Sequence, residues 1–127
     1  MNVDVRIHPE VAEDAPLDKS THVLIVDLDG RLVAGTGELV LRETMNQLVA
    51  EDYKKILLNL SLVDRIDSAG IGELMASVKL ASRFGCKVRL VNVEGQVRDI
   101  LRLSQLLPLL DVHESEDVAL EAFGISA

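Results

Sequence analysis

The chain has 127 residues, of which 48% are hydrophobic, so it can bury the core of one compact domain spanning residues 1–127. Its net charge of −8 and aromatic content of 2% argue against a nucleic-acid binder, which needs a basic surface and stacking platforms. The single cysteine Cys86 excludes an internal disulfide, no signal-peptide pattern opens the chain, and charges interrupt every apolar run. We therefore expect a cytoplasmic protein without a membrane span.

Residues 1–20 are predicted to form an N-terminal strand and a loop ahead of a core at residues 21–124. Residues 1–7 alternate between apolar and polar, Pro9 discourages continuation of the strand, and residues 11–20 show no apolar period. A second strand is predicted over residues 22–28, with an irregular exit at Asp29 and Gly30. Because no helix separates these strands, this edge of the sheet should be antiparallel or irregular.

The middle of the chain predicts two helices around a buried strand. Thr36 can cap a first helix, and Glu38 lies where the helix dipole favours an acid. The apolar run at residues 56–60 suits a central parallel strand, and residues 61–67 are predicted as its exit loop. A one-sided helix is expected from Ile71 onward, ending at Gly85 in a left-handed cap.

The last third predicts a strand over residues 87–93, a helix from Val97 that Pro108 stops, and an edge strand over residues 109–112. Ser115 can cap a final helix. Strands that alternate with helices predict an α/β fold, with a mostly parallel central sheet of about five strands and about four helices. The leucines near Pro108 exceed what one helix face can bury, so they predict either core packing or an apolar contact patch.

Asp67 and Ser68 stand where a strand gives way to a helix, and Gly70 and Gly72 keep that turn free of side chains. A helix start offers unpaired N–H groups and a partial positive charge, so an anion there is stabilised by roughly 0.3 to 2 kcal/mol. Phosphorylation of Ser68 would add a charge of about −1.5 to −2, enough to repel an acidic partner or disrupt an apolar contact. Serine and aspartate are also common helix caps, so the pair alone more often indicates only a cap.

The wider string makes the pair more informative. Three pieces of the sequence belong to this string: Leu58-Asn59-Leu60, Val63 and the segment 66–74 (Ile-Asp-Ser-Ala-Gly-Ile-Gly-Glu-Leu). Together they resemble the signature of the STAS domain, the family of anti-sigma factor antagonists. The resemblance extends over about residues 23–123 and implies a single STAS-like domain. It also implies a bacterial regulator of transcription that works by protein binding, without catalysis.

The resemblance implies that Ser68 is the phosphorylation site. The unphosphorylated protein would bind an anti-sigma factor that is also a serine protein kinase, phosphorylation would end binding, and a serine phosphatase would reset the switch. The partner-binding residues predicted around this turn are Val33, Thr36, Asp67, Ser68, Ala69, Gly70, Ile71 and Gly72. Val33 departs from the family pattern, in which an acidic residue is common, and this predicts an unusual partner contact. A homodimer stays open.

The same residues are compatible with two other functions. The chain could be a non-phosphorylated STAS scaffold subunit of a transport or stress-sensing complex, in which Ser68 is only a helix cap. Asp27, Asp29 and Asp67 could instead converge as a phospho-acceptor pocket of the receiver type. Such a pocket needs a lysine at the end of a late strand, whereas Lys87 stands at the start of one. The histidines lack metal-ligand spacing and the glycines lack a nucleotide-binding motif, so no metal or cofactor is expected.

Overall fold

The structure, a computed structural model, describes residues 1–10 and 16–124, so part of the predicted loop at residues 11–20 lies outside the described residues. Five strands form one sheet in the order β1-β2-β3-β4-β5, where β1 is antiparallel to β2 and all other pairs are parallel. The strands are Asn2–His8, Val23–Leu32, Lys55–Ile66, Lys87–Val91 and Val112–His113, and the helices α1 to α4 are Gly37–Ala50, Ser68–Arg83, Gly95–Leu103 and Glu116–Ala122. The predicted α/β architecture and the antiparallel first edge are confirmed.

The two faces of the sheet are covered unequally. Helices α1, α2 and α3 bury the main core against one face, through residues such as Leu41, Leu74 and Leu101. Among the described elements, α4 alone packs on the other face, where Leu120 and Phe123 join a smaller apolar cluster from the first halves of β2 and β3. A helix of 7 residues is about 10 Å long, whereas a strand of 12 residues extends about 40 Å. The second half of this face, here called the open face, is therefore beyond the reach of α4.

Strand β3 is longer than the sequence predicts, because residues 61–66 belong to it and do not form the expected loop. The register with β2 shifts twice, so that Asp29 pairs with Leu62 and Arg31 with Arg65. These irregularities interrupt the alternation of apolar and polar residues that marks a strand in sequence. Pairing with β4 ends at Asn59 and pairing with β1 ends at Asp29. From Gly30 and Val63 onward, β2 and β3 therefore form a two-stranded ribbon that leads to the start of α2.

Helix boundaries were predicted with mixed success. Helix α2 begins at Ser68, one turn earlier than expected, while Gly85 has the predicted left-handed conformation with φ of +72°. Ser115 caps α4 as predicted, because its side chain accepts a hydrogen bond from the Val118 N–H. Thr36 occupies the N-cap position of α1 as predicted, but its side chain makes no capping bond, and the Val33 carbonyl accepts the Glu38 N–H at 3.1 Å.

The leucine-rich segment does not form the predicted strand at residues 109–112. Pro108 lies in a short 3-10 turn, Leu107–Leu109, and the edge strand begins only at Val112. Leu110 is buried, whereas Leu103 and Leu109 are 75% and 65% exposed, so the segment contributes both to the core and to the surface. None of the helices in the described part of the chain is long and apolar enough to cross a bilayer.

Candidate functional site

Ser68 is the first residue of α2, at the carboxyl ends of β2 and β3. Its side chain is exposed, and among the described residues its hydroxyl has no hydrogen-bond partner. The N-cap of the helix is Asp67, with extended backbone, and its side chain accepts the Gly70 N–H. The interpretation of Ser68 as a helix cap is therefore wrong, because Asp67 already supplies the capping bond and leaves the serine hydroxyl free.

The Asp67 carboxylate holds two segments together. Its Oδ1 accepts a hydrogen bond from the Gly70 N–H at 2.9 Å, and its Oδ2 accepts one from the Ala34 N–H at 3.0 Å. The backbone N–H of Ala34, and then that of Gly70, lower the pKa of Asp67, because these donors favour the charged carboxylate. Through this one side chain the exit loop of β2, which holds Val33 and Thr36, is fixed beside Ser68.

Gly70 is required by a close approach between α2 and the end of β2. A Cβ atom at this position would collide with the Leu32 carbonyl oxygen and would lie 3.0 Å from Ile66 Cγ1. Gly72 differs, because a Cβ there would have no neighbour within 4 Å. The sequence predicted both glycines as part of the binding turn, but only Gly70 is needed to seat the helix.

Gln96 is a structural support of the turn that sequence reasoning missed. It lies in the first turn of α3, where its Oε1 accepts the Ile66 N–H at 2.9 Å and its Nε2 donates to the Ile66 carbonyl at 3.1 Å. These two bonds satisfy the backbone N–H and carbonyl of Ile66, the last residue of β3, which has no strand partner on that side. No local signal identifies this role, because the two residues are 30 positions apart.

A second missed group joins α1 to α2. Glu73 is buried, its Oε1 accepts a bond of 2.6 Å from Arg42 Nε, and its Oε2 accepts one of 3.0 Å from the Ser77 hydroxyl. Arg42 also donates to Glu38 at 2.7 Å on the helix surface. This network fixes the first turns of the two helices relative to each other on either side of the candidate site.

The predicted partner-binding residues form one continuous region but differ in accessibility. Thr36, Ser68 and Gly72 are exposed, whereas Gly70 is buried. The remaining members, Val33, Asp67, Ala69 and Ile71, are half-buried. The surface that a partner can reach therefore centres on Ser68.

The receiver-type aspartate pocket is not formed. Asp27 lies in β2, where Arg6 contacts its carboxylate at 2.6 and 2.9 Å and lowers its pKa, and Asn59 donates to it at 2.7 Å. Asp67 is held instead by backbone N–H groups of Ala34 and Gly70.

Burial raises the pKa of the Cys86 thiol to about 11, which keeps it unreactive at neutral pH. Within the described residues, no cluster of three or more potential ligands could hold a metal ion.

Comparison with known proteins gives consistent matches. The sequence model of the STAS domain matches residues 14–119. An anti-sigma F factor antagonist from Paenibacillus polymyxa is 28% identical over 98 residues, which cover 77% of this chain and 84% of that protein. The crystal structure of a candidate anti-sigma factor antagonist from Thermotoga maritima is 25% identical with a TM-score of 0.74, covering 85% of this chain and 90% of the other.

The anti-sigma factor antagonist SpoIIAA shares the fold at lower identity. Its unphosphorylated form is 17% identical with a TM-score of 0.68, covering 98% of this chain and all of SpoIIAA. Its phosphorylated form is 16% identical with a TM-score of 0.61, covering 94% and 98% of the two chains. The similarity to both forms concerns the architecture of the sheet and helices.

Proposed function

This chain belongs to the STAS domain family, and we propose that it is an anti-sigma factor antagonist whose binding is switched by phosphorylation of Ser68. The observation that carries the proposal is the exposed, unbonded Ser68 hydroxyl at the amino end of a helix of 16 residues. The unphosphorylated protein binds an anti-sigma factor that is also a serine kinase. Phosphorylation releases it, a serine phosphatase resets the switch, and the chain itself catalyses nothing.

The electrostatics of the turn explain why one phosphate would be enough to release the partner. Ser68 follows the ionised Asp67, so phosphorylation changes the local charge from about −1 to about −3. The α2 amino end stabilises part of this charge, which lets the modified turn keep its conformation. An acidic group of the partner is then repelled by the phosphate, and an apolar group would have to desolvate the phosphate to make contact, while the fold is unchanged.

Relatives support the same conclusion from another direction. The Paenibacillus polymyxa protein is an anti-sigma F factor antagonist, and SpoIIAA has been solved in both unphosphorylated and phosphorylated forms. The fold therefore accommodates phosphorylation in at least one member. Transfer of that property to this chain rests on Ser68 and its surroundings.

The test uses purified variants and a matched control. Ser68→Ala serves as bait in the native extract, and the captured protein is purified for calorimetric titration. We expect Ser68→Ala to bind like the wild type and Ser68→Asp to bind at least about tenfold more weakly. Ser82→Asp carries the same charge change at the exposed far end of α2 and should bind within about twofold of the wild type.

Mass spectrometry of the protein from its native cells supplies the second readout. Phosphate on Ser68 in at least one growth state is expected. Equal affinity of Ser68→Ala and Ser68→Asp for the partner, together with no phosphate on Ser68 in any state, would refute the switch and favour the scaffold function.

A further inference from the structure

Arg31 and Arg65 form an arginine pair with an unusual position in the fold. They are direct cross-strand neighbours in the ribbon of β2 and β3, and both are exposed. The residues that follow them, Leu32 and Ile66, are buried in the main core. The two arginines therefore project from the opposite side of the ribbon, on the open face that α4 cannot cover.

Neither arginine has an internal partner. Within residues 1–10 and 16–124, neither guanidinium group makes an ion pair, a hydrogen bond or a ring contact. Asp29 and Asp64 are close in sequence but pair with neither arginine. The remaining arginines have a polar partner or lie at a helix end, as do Arg6, Arg42, Arg83, Arg89, Arg98 and Arg102.

The arrangement is unfavourable for the isolated fold. Like charges directly opposite each other on neighbouring strands repel, and their pairing destabilises a sheet. The chain has a net charge of −8 and therefore many acidic groups, yet none of the described ones pairs with either arginine. Two planar guanidinium groups side by side are well suited to bidentate binding of carboxylates. The pair is thus better explained by a ligand outside the chain than by stability.

The surroundings define the chemistry of that ligand. Leu62 precedes Arg65 on the same strand and is 59% exposed, and its cross-strand partner Asp29 is also on the surface. A large exposed apolar side chain beside a cationic pair fits a peptide segment that carries both acidic and apolar side chains. A small anion would use only the arginines and leave Leu62 in water.

We propose that the Arg31–Arg65 pair and Leu62 form a docking surface for an acidic, amphipathic segment of a partner protein. The proposal rests on the proposed function for the existence of that partner, since it adds a second contact beside the Ser68 turn. Arg65 is three residues before Ser68, so their Cα atoms lie within about 11 Å, close to the Debye length of about 10 Å at 0.1 M salt. A phosphate on Ser68 would reduce the positive potential of the pair and so weaken its hold on an acidic segment.

The test does not need the natural partner. A short synthetic peptide of glutamate and leucine is titrated into isotope-labelled protein at low salt, with a peptide of lysine and leucine as the control. We expect the acidic peptide alone to shift the backbone signals of Arg31, Leu62 and Arg65. Arg65→Glu and the milder Arg65→Gln should each weaken binding, the former by at least about tenfold.

Lys79→Glu is the matched variant, because Lys79 is exposed on α2 and its reversal changes the net charge equally. It should alter peptide affinity by less than about twofold. Thermal unfolding gives an independent readout: Arg65→Glu places opposite charges across from each other and should raise the melting temperature by about 2 to 4 °C. Weaker binding by a more stable protein is not expected from structural damage.

Several outcomes would overturn the proposal. These are absence of peptide binding, signal shifts confined to other surfaces, or an equal loss of affinity in Arg65→Glu and Lys79→Glu. Sedimentation that shows a dimer for the wild type and a monomer for Arg65→Glu would assign the surface to a second copy of the chain instead. The Ser68 switch is tested separately by the affinities of the Ser68 variants for the captured partner. The docking surface and the switch can therefore fail independently of each other.

Discussion

Gly70 and Gly72 give opposite predictions for the same substitution. Alanine at residue 72 has open space and replaces a glycine within a helix, so Gly72→Ala should stabilise the fold by about 0.5 to 1 kcal/mol. Alanine at residue 70 gains the same helix propensity but collides with the Leu32 carbonyl, which cannot rotate away. Overpacking of this kind costs about 1 to 3 kcal/mol or more, and we expect a net loss of about 2 kcal/mol.

Urea unfolding followed by circular dichroism measures both effects. With a slope of about 1 to 3 kcal/mol per molar urea, the midpoint should fall by roughly 1 M for Gly70→Ala and rise by a few tenths molar for Gly72→Ala. The two positions share a helix and an amino acid, so each variant controls for the other. Midpoints that move in the same direction would show that the approach of α2 to Leu32 is not what requires glycine at residue 70.

Two further predictions concern the polar groups around the turn. The folded-state pKa of Asp67 is lowered, so the ionised carboxylate stabilises the fold above the unfolded pKa of about 3.8, and this stabilisation is lost as the pH falls through the folded pKa. The free energy of unfolding of Asp67→Asn should therefore fall less steeply below about pH 4 than that of the wild type. An unchanged acid limb would contradict this. Glu73→Ala removes the buried acceptor of Arg42 and Ser77 and should cost about 1 to 3 kcal/mol in urea unfolding. Glu38→Ala removes an i,i+4 ion pair to the half-exposed Arg42 and should cost about 0.3 to 0.5 kcal/mol. Similar costs for the two variants would refute the role of burial.

The position of the candidate site was predictable because its signals are local. Residues 58–60 and 66–74 contain the strand end, the helix start and the glycines in one continuous string. Gly85 and Ser115 likewise terminate or cap helices through their own backbone or side chain, and both predictions were confirmed. Thr36 is the N-cap residue of α1 as predicted, but its side chain makes no capping bond, because a carbonyl of the preceding loop accepts the Glu38 N–H.

The length of β3 could not be predicted, because it depends on pairing with another strand. Residues 61–66 contain Ser61, Asp64 and Arg65 among their apolar neighbours, and this mixture lacks the alternation of a strand. These residues are extended because β2 pairs with them through two register shifts, and a register is a property of two strands. The arginine pair and the open face were therefore invisible in the sequence.

Local patterns in the chain were sufficient for most element types, the parallel sheet and the position of the candidate site, because propensities, caps and apolar periods act between residues close in sequence. The exposure of the Ser68 hydroxyl, the bond from Ala34 to Asp67 and the clamp of Gln96 on Ile66 depended on the tertiary structure. The two hydrogen-bonded contacts join groups 33 and 30 positions apart, and only the packing of α2 and α3 around the end of the β2–β3 ribbon brings them within hydrogen-bond distance.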